Sequence, residues 1–433
     1  MKQKKHIILI ILVFIVIAIQ LFFSIGSKSI EDYTSTLIAS SLVYLILIYV
    51  LFKVQIKKSI LVVTLFCLFI PKVFFIPITP IGSDDYYRYL WDGKVYANGI
   101  NPYLYAPNDS KLKSLHSSIL PERVNYPEIK TIYFPVSQLL FKYNYLLNGE
   151  GTIILKLFYL FFDLVIICSL FFLLRKFLID LKYLLIYAAI PLVNYQFYID
   201  AHIDIVGAAL MLSSISFYFY NKKLLSLLLL GLSVSVKPTG FLLLPFLFQN
   251  EIGIKNKIQA TVLPLLIFLI TFLPYLFEAT PIDTFINYTI KWTFNGMIYN
   301  AISIFISDNI IIRSTCAIIY IFILAFLYFS KMELISKIYI ALFLLLLLSP
   351  VVHPWYLFWI VVLLPIVRSY SGIYYVSSIT VTFITVIAYQ NTGVWKEHWE
   401  ILLLQYIPVL VLLLIEIYFN KFKFLFSEQA NKY

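Results

Sequence analysis

Apolar and polar positions along this chain fall into long blocks. Apolar runs close to 20 residues long recur, joined by short polar connections rich in Lys, Tyr and Asn. The runs do not alternate with period two, which excludes half-buried strands, and their length is that of a helical bilayer crossing, about 20 residues. Inside hydrocarbon only helices or a closed barrel satisfy the backbone, so helices are expected. Crossings are predicted over residues 7–23, 36–52, 60–76, 152–174, 181–198, 203–220, 258–277, 310–329, 336–349, 355–367, 372–389 and 401–419. The first run follows a basic head and lacks a small-residue cleavage pattern, so it is expected to be a retained span, not a signal peptide.

Two stretches break the pattern. Residues 80–151 form the longest polar region, predicted as one outer loop. Within it residues 133–147 are apolar but short, and they carry Gln138, Lys142 and Asn144; an interfacial helix is expected there. Residues 224–248 are apolar but interrupted by Lys237-Pro238-Thr239-Gly240. Proline disfavours helix in the residue before it, so this segment is predicted to be a broken re-entrant hairpin with Lys237 at its tip.

Composition agrees: 61% of residues are hydrophobic and 13% charged, roughly half the charge of a soluble domain. No soluble domain or repeat stands out, and residues 1–433 read as a single all-α integral membrane domain. The net charge of +11 is better explained by topology than by nucleic acid, because no basic run or nucleic-acid motif accompanies it. Most lysines and arginines, among them Lys2, Lys4, Lys5, Lys421, Lys423 and Lys432, fall on one side if both termini are cytoplasmic. That arrangement puts the 80–151 loop outside. Cys67, Cys168 and Cys316 all lie in apolar runs and read as packed hydrophobes.

Candidate chemistry gathers on the predicted outer side. Gly82-Ser83-Asp84-Asp85-Tyr86-Tyr87-Arg88-Tyr89-Leu90-Trp91-Asp92-Gly93 packs three acids, a guanidinium and several rings into one short segment. Asp200, His202 and Asp204, then Asn295, then His353-Pro354-Trp355-Tyr356 fall at the same predicted depth. A carboxylate there can accept a proton from a hydroxyl. Lys237, His353 and Arg88 can bind a phosphate and steady it as it leaves. Rings such as Tyr89, Trp91 and Trp355 can stack on a sugar. Each has a plainer explanation: a solvated acid pair, a snorkelling lysine, an interfacial histidine. His202 and Asp204 could ligate a metal, but two residues apart is poor spacing on a helix. Asp163, inside a crossing, is expected to pair within the bundle, with Lys156 as the candidate partner.

The segment Gly82–Lys94, with Ala97-Asn98-Gly99-Ile100-Asn101-Pro102-Tyr103, Asn125-Tyr126-Pro127-Glu128-Ile129 and Ile132-Tyr133-Phe134-Pro135-Val136-Ser137-Gln138, resembles the first outer loop of bacterial GT-C glycosyltransferases. The nearest likeness is to polyprenol-phosphate-mannose-dependent mannosyltransferases. Asp200–Asp204, Val236-Lys237-Pro238-Thr239 and His353-Pro354-Trp355-Tyr356 are similar to further blocks of that group. The resemblance implies a GT-C bundle of about twelve crossings with amphipathic helices in the first loop. It implies a polyprenyl-phosphate sugar donor, mannose being expected, and a glycolipid or glycan acceptor on the outer face of the cell membrane. It implies metal-independent, inverting transfer, with no cofactor. Matched on the spacing to Tyr89, the family's catalytic aspartate falls on Asp85, with Asp84 as its competitor. The phosphate role falls on Lys237 and His353, then Arg88. A secondary transporter and a lipid-linked glycan flippase or ligase remain the alternatives; the former usually shows two related halves, which are not visible here.

Overall fold

The computed structural model describes residues 2–26 and 28–419. The lysines at 421, 423 and 432 lie outside the described residues, as do the side chains of those at 2, 4 and 5. The protein is all-α: the described residues hold no strand, only isolated bridges of Phe294 and Asn295 with Val351.

Helices of eight residues or more are numbered in chain order. The first are α1 (Lys2–Ile25), α2 (Ile30–Phe52) and α3 (Lys58–Phe75). Then come α4 (Asp85–Ala97), α5 (Pro135–Asn148), α6 (Ile153–Lys176), α7 (Asp204–Phe219), α8 (Lys223–Val234), α9 (Ile254–Phe272) and α10 (Ile282–Lys291). The last are α11 (Asn309–Phe329), α12 (Leu334–Leu348), α13 (Tyr370–Ser378), α14 (Phe383–Thr392) and α15 (Trp399–Tyr418). Among the described residues eight stretches are long and apolar enough to cross a membrane: α1 from His6, α2, α3, α6, α9, α11, the run Tyr370–Thr392 and α15.

The twelve predicted crossings included four segments that do not reach that length as single helices. α7 and α12 have 16 and 15 residues. Residues 181–198 are broken into a 3-10 turn, two short helices and a π-helical turn, Asn194–Ile199. Residues 355–367 are broken likewise, beside Pro354 and Pro365. Irregular backbone at membrane depth is tolerated where protein covers it, and Leu184–Ile199 is buried throughout.

The chain divides into two compact units. One comprises the described residues up to Phe75, Ile167–Tyr195 and the described residues from Thr293. Its core is the inner face of α2, where Tyr33, Leu37, Tyr44, Leu47 and Leu51 are fully buried. Two hydrogen bonds tie buried polar groups across it: Asn194 Nδ2 donates to Gln20 Oε1 at 2.7 Å and Tyr44 Oη to the Ile186 carbonyl at 2.8 Å. Near the end of α15, Glu416 accepts from Ser369 Oγ (2.9 Å), Ser371 Oγ (2.5 Å) and the Tyr370 amide (2.5 Å), capping the start of α13.

The other unit comprises Ile76–Ile166 and Gln196–Trp292. It contains α4, α5 and α7 to α10. The expected interfacial helix is α5: Leu139, Tyr143, Leu146 and Leu147 are exposed along one side, while Ser137, Gln138, Phe141 and Asn144 are buried on the other. The hairpin opens where expected. α8 ends at Val234, Lys237 is extended (φ −155°, ψ 138°) before Pro238, and a 3-10 turn follows. Asp163 accepts from Tyr198 Oη at 2.6 Å, and Lys156 Nζ donates to the Ile78 carbonyl at 2.5 Å, in place of the expected contact between the two.

Candidate active site

The site is built on α4, and α4 is fixed by α5. A Cβ on Gly93 would lie 2.3 Å from the Phe141 carbonyl oxygen, so these backbones meet only because residue 93 has no side chain. One turn earlier the Tyr89 ring stacks on Phe141, with centroids 4.6 Å apart and planes within 8°. Gln138 Nε2 donates to the buried Asp92 at 3.0 Å. Arg88 reaches the other way. Its guanidinium donates to the carbonyls of Asn125, Tyr126 and Ile129, each at 2.9 Å, and holds that loop against the helix.

The loop so held brings Asn125 to both candidate carboxylates. Asn125 Nδ2 donates to Asp84 Oδ1 at 3.1 Å and to Asp85 Oδ1 at 3.0 Å. Asp84 is exposed at the head of α4, whereas the Asp85 side chain is 23% exposed. Tyr133 Oη lies 3.5 Å from Asp85 Oδ2 and 3.4 Å from Tyr89 Oη. Burial, and after it the charge of Asp84, pushes the Asp85 carboxyl up to about 6, against the pull of Asn125 and Lys237. A carboxylate in that range is poised to take a proton near neutral pH.

Asp200–Asp204 supplies the opposite wall. The π-helical turn ends at Ile199, and Ala201 is left-handed at φ 61°. The bend sends three side chains to three places. Asp200 Oδ1 accepts from the amides of Gly82 (2.8 Å) and Ile81 (3.2 Å), fixing the chain just before α4. His202 Nδ1 lies 3.8 Å from Asp85 Oδ2 and 3.4 Å from Tyr89 Oη. Asp204, at the first turn of α7, pairs with Lys237 Nζ at 2.6 Å. The Lys237 side chain is 25% exposed, so the pair is reachable while its acid is buried.

Asn295, His353 and Trp355 gather in the first unit. The His353 ring stacks on Trp355 (4.4 Å, 2°) and on Phe294 (4.9 Å, 24°). The amide of Phe294 donates to the Pro350 carbonyl at 2.9 Å and that of Val352 to the Phe294 carbonyl at 2.7 Å. Asn295 is left-handed at φ 54°; its amide donates to Glu397 Oε2 at 2.9 Å and its carbonyl accepts from Tyr406 Oη at 2.6 Å.

The structure thus brings Asp84, Asp85, Tyr89, His202, Asp204 and Lys237 together in one unit. Three other sequence candidates make contacts within the protein. Arg88 gives three hydrogen bonds to the carbonyls of the 125–129 loop. Trp91 and Tyr89 are each 1% exposed, Trp91 edge-on to His116 and Tyr89 stacked on Phe141. Asp200 is fully buried beneath the Ile81–Gly82 amides, which makes it a positioning group. The sequence assigns no role to Asn125 or Tyr133, and it does not point to Glu397. The first two stood in the Asn-Tyr-Pro and Tyr-Phe-Pro stretches; Glu397 gave no signal beyond its tryptophan neighbours. Among the described residues no group of three or more His, Cys, Asp or Glu side chains could hold a metal ion.

A helical membrane protein in which a helix between two long apolar stretches carries a poised carboxylate near a histidine and a lysine has the build of an integral-membrane enzyme. Residues 17–251 match the family model described as alpha-(1->6)-mannopyranosyltransferase, N-terminal domain, and residues 305–417 match the MptB C-terminal domain. The first match alone spans more than half the chain, and the protein belongs to this family of mannosyltransferases. No curated protein matches the chain.

Proposed function

We propose that the protein is a GT-C-type transferase moving mannose from a polyprenyl-phosphate donor to a hydroxyl of a glycan or glycolipid. It works at the outer face of the cell membrane, with both termini cytoplasmic. The observation that carries the reading is Asp85: a partly buried carboxylate pushed up to about 6, held by Asn125 and faced by His202. Asp85 takes the acceptor proton and the acceptor oxygen attacks the anomeric carbon. The bond from that carbon to the phosphate oxygen breaks with inversion, and polyprenyl phosphate leaves with the electron pair. Lys237, oriented by Asp204, offsets the charge on the departing phosphate without a metal. The bias of basic residues toward one side supports the topology.

The test uses purified protein in liposomes with radiolabelled polyprenyl-phosphate mannose and a short α-(1→6)-mannoside acceptor. Transfer by the wild type and none by Asp85→Asn is expected. Transfer retained in Asp85→Asn removes the proposed base, and its loss in Asp84→Asn alone moves the role to Asp84. Transfer from a nucleotide sugar in place of the lipid donor removes the proposed donor.

A further inference from the structure

His202 is fully buried, so it cannot reach an acceptor or a sugar. Its Nδ1 nevertheless faces the catalytic corner. Four groups close a ring: His202 Nδ1 to Tyr89 Oη (3.4 Å), Tyr89 Oη to Tyr133 Oη (3.4 Å), Tyr133 Oη to Asp85 Oδ2 (3.5 Å), and Asp85 Oδ2 back to His202 Nδ1 (3.8 Å). These separations are long, as polar contacts in an unliganded site often are.

Proton counting orients the ring. A tyrosine hydroxyl carries one hydrogen. If Tyr133 gives its hydrogen to the Asp85 carboxylate, Tyr89 must give its own to Tyr133. Tyr89 Oη then accepts, and the group facing it is His202 Nδ1, which must carry a hydrogen. Every donor in that order points toward Asp85. Burial first, with neighbouring charges behind it, holds both tyrosines well above their usual range, so each keeps the hydrogen it must give.

We propose that His202 is a positioning residue that acts through Tyr89 and Tyr133 to hold Asp85 as the carboxylate the reaction needs. This rests on the reading of Asp85 as the base. The other groups that act on Asp85 are Asp84 on its own turn, Asn125, the Asp204–Lys237 pair and, through its charge, the Arg88 guanidinium. None of them takes part in the ring, so removing a ring member leaves them in place.

The experiment measures the pH dependence of kcat/KM in the same liposome assay, for wild type, His202→Gln and Tyr89→Phe. Tyr89→Phe keeps the ring stacked on Phe141 and removes only the hydroxyl. The acid limb, below which Asp85 is protonated and idle, should move up by about one pH unit in each variant. A merely structural role would lower the rate at every pH and leave the limb where it was. An unmoved limb in Tyr89→Phe overturns the proposal, even if His202→Gln fails to fold. Asp85→Asn separates the two readings: if it stays active, the base is wrong; if it is dead and the limb does not move, only the histidine chain is wrong.

Discussion

Gly93→Ala should cost this enzyme activity although residue 93 touches no proposed reacting group. The added carbon would sit 2.3 Å from the Phe141 carbonyl oxygen and 2.7 Å from its carbon, both backbone atoms. Ordinary contact begins at 3.4 Å, so the two helices must part by about 1 Å at that point. Overpacking of this kind costs about 1–3 kcal/mol. Asp85 stands eight residues earlier on the same helix, about 12 Å along its axis. Parting α4 from α5 therefore carries the carboxylate with it. A misplacement of about 1 Å at a reacting group costs on the order of 100-fold in rate. The variant is expected to lose 10- to 100-fold in kcat, on the order set by that displacement, and to melt several degrees lower in detergent. Gly26→Ala is the control, because its added carbon meets nothing nearer than 3.4 Å. A Gly93→Ala protein with wild-type melting and wild-type kcat would refute the idea that the α4–α5 contact sets the site.

Two other perturbations separate scaffold from chemistry. Arg88→Lys keeps the charge but cannot span three carbonyls, so the 125–129 loop should loosen at a cost of about 2 kcal/mol; kcat should fall with little change in donor KM, whereas a phosphate ligand would show mainly in KM. Glu416→Ala leaves Ser369, Ser371 and the Tyr370 amide without their acceptor, and thermal melting should report a loss of about 3 kcal/mol, less for Glu416→Gln.

The parts of the fold that show in the sequence are those whose apolar residues meet lipid. α1, α2, α3, α9, α11 and α15 each expose large hydrophobic side chains and stood out as runs. Residues 184–199 and 357–367 are just as apolar but are buried inside protein, and hydropathy does not distinguish the two surroundings. Asp85, Lys237, His202 and Asp204 were visible because ionisable groups in an apolar chain are costly and need a reason. Arg88 is visible for the same reason, but its hold on the 125–129 loop is not, since carbonyl acceptors leave no trace in composition. Glu397 was missed because a five-residue Trp-Lys-Glu-His-Trp stretch between two long runs reads as a plain connection.

The bend from Asn194 to Asp204 gives the protein a single point of failure. Asp200 anchors the approach to α4, His202 faces the base, and Asp204 holds the lysine, all from one left-handed step at Ala201. Here the loss or gain of one residue would rotate all three away from their partners together, so one insertion or deletion in this stretch would undo more of the site than any single substitution within it.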